Sequence, residues 1–142
     1  MAQYVYSFTK IPNGVIRPFV NVRIINPENN KWVMTKCLLD TGADKCLFPK
    51  GIAQITGHNL DHADCDTSNG KGIEGSEIKT WIHSFKIELF TEDLSKRIWK
   101  SGIIKVGCID HDKTPPILGF LDFFQFMNIR FNYVTKKIVI EI

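Results

Sequence analysis

The stretch "CLLDTGADKCLFP", residues 37–49, runs from an apolar triplet into a carboxylate, bends through Thr-Gly-Ala and turns apolar again. An ionised carboxylate at the end of a buried strand is costly to desolvate. It is kept where backbone donors, a partner charge or a chemical role compensates. Asp40 has local means of compensation: Thr41 offers a hydroxyl, and Gly42 allows a bend sharp enough to turn backbone amides onto the acid. Upstream, "KWVMTKCLLD" (31–40) reads as a strand whose end, Cys37 to Leu39, is buried on both faces. "RPFVNVRIIN" (17–26) reads as its hairpin partner across the turn cluster "PENN" (27–30). Downstream, Pro49 opens a short helix that closes at Thr56, with Gly57 just past its end.

The chain has 142 residues, enough for one compact domain with a real core and little room for a second, so residues 1–142 are expected to form a single domain. With 44 % apolar and 23 % charged residues it has the balance of an ordinary globular protein. No apolar run approaches the roughly 20 residues that span a bilayer, and the first residues lack the form of a secretory signal. A cytoplasmic protein is expected, or one carried within a virus particle if the chain is cut from a polyprotein. The net charge of +3 is spread along the chain rather than gathered into a stripe, which points away from nucleic acid and membrane as partners. Cys37, Cys46, Cys65 and Cys108 contain no CxxC pair and are expected to be reduced thiols.

The stretch 59–75 is rich in Asp, Ser, Asn, Gly and His and reads as a loop. "IKTWIHSFKIELF" (78–90) alternates Trp81, His83, Phe85, Ile87 and Leu89 with polar residues, the pattern of a half-exposed strand. "WKSGIIKVGCID" (99–110) reads as one further strand. "LGFLDFFQFMN" (118–128) carries Leu121, Phe124 and Met127 at helical spacing and is expected to be the substantial helix of the chain. "IRFNYVTKKIVIEI" (129–142) reads as two strands about a turn at 134–137, with Ile138, Ile140 and Ile142 on one face and an edge that needs a partner, in the same subunit or in another.

"LLDTGAD" resembles the active-site sequence of the retropepsin-like aspartic proteases, the single-lobed relatives of pepsin. "GKGIEGSEIKT" (70–80) resembles their glycine-rich flap, and "PPILGFLDFFQF" (115–126) resembles the apolar pair and glycine that precede their helix. The three follow in family order over about residues 17–142. The resemblance implies an all-β, closed-barrel-like domain with one short C-terminal helix, homodimeric, with a flap at about 66–80. It implies catalytic roles for Asp40, Thr41 and Gly42, and substrate contacts from Ala43, Asp44, Gly72, Ile73, Glu74 and Gly75. Two positions depart from the pattern. Phe120 stands where the family has an arginine that pairs with the aspartate equivalent to Asp44, leaving Lys45 or Arg130 as substitutes, and Glu74 stands where the flap commonly has glycine.

Peptide hydrolysis without a metal or a covalent nucleophile needs a base for water and an acid for the leaving nitrogen, and two coupled aspartates sharing one proton supply both. The chain contains one DTG; "CDTSNG" (65–70) lacks the glycine and lies too close to be a second lobe. The second acid is therefore expected from a second copy, Thr41 of each gripping the partner loop. The expected function is an aspartic endopeptidase acting on polypeptides with no cofactor and no metal; the alternative is a non-catalytic dimerising or peptide-binding module of the same fold. His58, His62 and Cys65, at i, i+4 and i+7 with Asp61 or Asp64 nearby, have the spacing of a zinc site on a helix, but the segment is too polar for one and reads as a solvated loop. Cys46 reads as a packed thiol and the aromatic residues as core or dimer surface.

Overall fold

The computed structural model describes residues 1–60, 64–66 and 79–142, with 64–66 described by their backbone alone. The centre is a ring of six strands built around β4 (Phe19–Ile25) and β5 (Trp32–Leu39), the antiparallel pair expected from the "PENN" turn. They register Phe19 with Leu38 and Ile25 with Trp32. β-Branched residues at every second position send Val20, Val22 and Ile24 into the core. β4 also pairs with β8 (Thr80–Phe90), whose Phe85, Ile87 and Leu89 face the same interior with no exposed surface.

At eleven residues β8 is long enough to serve further partners. Its first half pairs with β10 (Ile104–Cys108), and its edges take β7 (Asp64–Asp66) and β9 (Arg97–Lys100). β10 in turn runs parallel to β6 (Leu47–Phe48), β6 meets β11 (Ile117–Leu118), and β11 lies parallel to β5. The ring closes, so the closed-barrel-like expectation holds.

Two parts of this differ from the sequence expectation. Residues 99–110 form two strands rather than one, because Ser101 leaves the ladder to exchange hydrogen bonds with Ile87: its amide donates to the Ile87 carbonyl at 2.9 Å and its hydroxyl accepts from the Ile87 amide at 2.9 Å. Within 59–75, expected to be loop, residues 64–66 are strand β7.

A buried carboxylate braces the outside of the barrel. Glu88 accepts from Arg23 on β4 and from Arg97 on β9, 2.6 Å to the latter, while the Arg23 guanidinium lies 5.2 Å over the Trp32 ring. Burial alone would raise the Glu88 pKa, but the hydrogen bonds and charges of the two arginines outweigh it and hold the pKa below the ordinary glutamate value.

The single α-helix among the described residues, α1 (Lys50–Ile55), follows β6. Pro49 stands immediately before its first residue, and the Gly51 amide donates to the Asp112 carboxylate at 2.7 Å. Gly57 closes it in the left-handed region at φ +84°, with the Gly57 and His58 amides returning to the Gln54 and Ala53 carbonyls.

A second sheet of three strands joins the two ends of the chain. β13 (Lys137–Glu141) lies between β1 (Gln3–Ser7) and β12 (Asn128–Asn132). The partner that the C-terminal hairpin needs is therefore β1 of the same subunit, Ile138 facing Tyr6 and Ile140 facing Tyr4. The Tyr6 hydroxyl donates to the Phe90 carbonyl and ties this sheet to the barrel. No helix among the described residues is long and apolar enough to cross a membrane.

Candidate active site

Asp40 stands one residue beyond β5, held from both sides by the strands that cross there. The Leu38 amide donates to the Pro116 carbonyl, the Leu39 amide to Pro18, and the Asp40 amide to Leu118 at 3.3 Å. Cys37 and Leu39 are buried, but Leu38 is half-buried, so the strand end is not covered on both faces as expected. The chain then turns at once. The Gly42 amide donates to Asp40 Oδ1 at 2.9 Å and the Ala43 amide to the Asp40 carbonyl at 3.1 Å. The half-buried carboxylate is thus compensated by the backbone of its own turn, as the glycine implied. The Thr41 hydroxyl makes no hydrogen bond among the described residues and stands exposed.

The second support is the "ILG" segment. The Phe120 amide donates to the Ala43 carbonyl at 2.9 Å and the Leu121 amide to the Asp44 carbonyl at 2.8 Å. Gly119 makes this docking possible, because a Cβ there would lie 2.5 Å from the Lys45 backbone. Residues 118–128 do not wind into the expected helix: Phe123 leaves helical geometry at φ −140°, and the Phe124 and Gln125 amides reach back five residues, to the Gly119 and Phe120 carbonyls, instead of four. The segment forms turns and a single 3₁₀ turn at Phe124–Phe126, while Phe123 is buried edge-on against Trp99 at 5.4 Å.

Asp122, which the sequence did not single out, accepts the Cys46 amide at 3.2 Å and fixes the far end of the loop. An acid inside an otherwise apolar run was the available signal. Asp44 is exposed and has no ion pair among the described residues, so neither Lys45 nor Arg130 takes the place of the missing arginine; Phe120 is itself half exposed.

Two concavities flank Thr41. One, of about 540 Å3, is lined by Phe8, Arg17, Asp40, Thr41, Tyr133 and Lys136; the other, of about 370 Å3, is lined by Thr41, Phe120, Phe124, Met127, Ile129 and Phe131. A larger hollow of about 600 Å3 beside α1 contains no residue of the Asp40 loop. Cys46 is buried, and burial, only partly offset by a hydrogen bond from Gly119, pushes its thiol up to about 12, which keeps it protonated and unreactive near neutrality.

Gly72, Ile73, Glu74 and Gly75, expected in the flap, lie outside the described residues. So does His62 of the possible metal set, and Cys65 is described by its backbone alone. Among the described residues no group of three or more His, Cys, Asp or Glu side chains is placed to hold a metal.

No family model matches the chain, and no curated protein matches it by sequence. Among solved structures it is similar to a retropepsin-like aspartic protease from Rickettsia conorii, with a TM-score of 0.60 and 17 % identity over 97 % of this chain and 89 % of that one. It is also similar to EIAV protease complexed with the inhibitor HBY-793, with a TM-score of 0.38 and 22 % identity over 72 % of this chain and 81 % of that one. The likeness to the first, over nearly the whole of both chains, gives the fold: retropepsin-like and all-β.

Proposed function

We propose that this chain is an aspartic endopeptidase that works as a C2 homodimer, with Asp40 of each protomer at the axis. The observation that carries the reading is a single DTG loop at a barrel rim, its carboxylate half-buried, oriented by the Gly42 amide and open to a cleft. One such acid cannot be both base and acid at once. Two brought to about 3 Å cannot both ionise, so the pair holds one proton and titrates as a unit. The ionised member takes a proton from water as it attacks the peptide carbonyl, and the protonated member then gives its proton to the leaving nitrogen.

The Thr41 hydroxyl, exposed on the ridge between the two concavities and without a hydrogen bond among the described residues, is available to the partner's loop. Ala43 and Asp44 continue from that loop and contact the substrate backbone, and Gly72, Ile73, Glu74 and Gly75 close over the peptide as a flap. No cofactor or metal takes part. The test is digestion of a peptide library by the wild type and by Asp40→Asn, with and without a transition-state inhibitor of aspartic proteases. Cleavage that both the inhibitor and the substitution abolish supports the proposal. No cleavage by the wild-type dimer would leave a non-catalytic module instead.

A further inference from the structure

Away from the Asp40 loop, two imidazoles are stacked in the barrel wall. His58, directly after Gly57, and His83, on β8, are 8 % and 9 % exposed, with ring centroids 4.5 Å apart and planes inclined at 39°. His58 Nε2 lies 2.8 Å from the Ser84 carbonyl. A carbonyl only accepts, so that nitrogen carries a hydrogen. His83 Nε2 lies 3.4 Å from the Leu60 carbonyl. Each ring therefore reaches the backbone of the other's segment. The exit of α1 is bound to β8 and β8 is bound to the exit of α1. The Phe85 ring closes one edge of His58 at 4.8 Å.

The surroundings decide what protons do here. Glu28, in the turn between β4 and β5, is the acid whose charge acts on His83. Lys105 on β10 donates to the Ser84 hydroxyl at 2.8 Å. Lys50 pairs with Asp110 at 3.2 Å, and both line the hollow that includes His58. β7 sets Asp64 and Asp66 in register with Ile82 and Thr80, positions on the face of β8 opposite to that of His83. Burial, then the neighbouring His58, lowers the His83 pKa from the ordinary imidazole value against the raising effects of the Leu60 carbonyl and Glu28. A lowered histidine stabilises the fold above its unfolded pKa, and that stabilisation is lost as pH falls through the folded value.

We propose that the His58–His83 stack is an acid-sensitive clasp. With at least one ring neutral it pins residues 57–60 to β8; when each ring takes a proton from solvent, the two like charges part and the clasp opens. The clasp is independent of catalysis and needs no partner.

Amide exchange of His58, whose N–H is bonded to the Ala53 carbonyl at 2.9 Å, reads the clasp directly. Corrected for the intrinsic pH dependence of exchange, it should quicken roughly tenfold between about pH 7 and pH 5. His83→Phe keeps a ring on the stack that cannot titrate, and His58→Gln keeps a donor for the Ser84 carbonyl; in both, the acid-dependent gain should vanish. An unchanged gain in the variants, or none in the wild type, overturns the proposal. Should either variant fail to fold, imidazole ¹⁵N shifts of the wild type decide: two coupled steps separated by about one pH unit or more support the clasp, and two independent, unperturbed curves overturn it.

Discussion

Replacing Gly119 by alanine tests how tightly the "ILG" segment holds the Asp40 loop. The new methyl would sit 2.5 Å from both the carbonyl carbon and the oxygen of Lys45, where ordinary contact begins at 3.4 Å. Backbone cannot swing aside as a side chain can, so the two segments must separate by about 0.9 Å, the difference between those distances. That movement stretches the Phe120–Ala43 and Leu121–Asp44 hydrogen bonds, now 2.9 and 2.8 Å, beyond useful length. Two such bonds contribute about 1 kcal/mol each, and overpacking adds about 1–3 kcal/mol. The expected loss is about 3–5 kcal/mol, a large share of the roughly 5–15 kcal/mol that holds a domain folded.

Urea denaturation followed by circular dichroism measures it. Gly102→Ala is the control, because a Cβ at Gly102 meets nothing within 4 Å. If Gly119→Ala unfolds within about 0.5 kcal/mol of the wild type, as harmless surface substitutions do, the two segments are not the rigid pair described. A shift of about 1 Å at the loop should also lower peptide cleavage by about a hundredfold.

Asp40→Asn should abolish turnover and leave the melting temperature nearly unchanged, because the amide oxygen still accepts from Gly42; retained cleavage would remove Asp40 from the chemistry. Sedimentation velocity should show a dimer wherever activity is seen, and a strict monomer with full activity would refute the shared pair. The Glu88 contribution is complete above the ordinary glutamate value of 4.5 and is lost as pH falls through the depressed one. Between about pH 6 and pH 3 the wild type should therefore lose more stability than Glu88→Gln in urea titrations; equal losses would mean that the two arginines do not hold it. Phe85→Ala, at a position with no exposed surface, should cost about 3–5 kcal/mol by the same measurement.

The hairpin of β4 and β5, the bend at Gly42 and the terminal hairpin were legible because local chemistry and tertiary demand agree there. The alternation of Val20, Val22 and Ile24 is both a strand pattern and a core face. The helix expected at 118–128 failed because spacing alone could not reveal that Phe123 turns out of helical geometry where it is buried against Trp99. β7 was missed for a related reason: "DCD" has little strand propensity of its own and is a strand because β8 offers it an edge. Asp122 and Lys136 escaped notice because their roles depend on segments distant in sequence, Cys46 in one case and the Asp40 cleft in the other.

The ring of strands has a weakest seam. β10 grips β8 over five residue pairs and β6 over two, but β6 meets β11 over a single pair, Leu47 with Ile117. Under mechanical load the cylinder would split along that short junction, like a pipe along its thinnest weld. The hairpin of β4 and β5, with seven pairs in register, would outlast the rupture and keep the acid's footing whole.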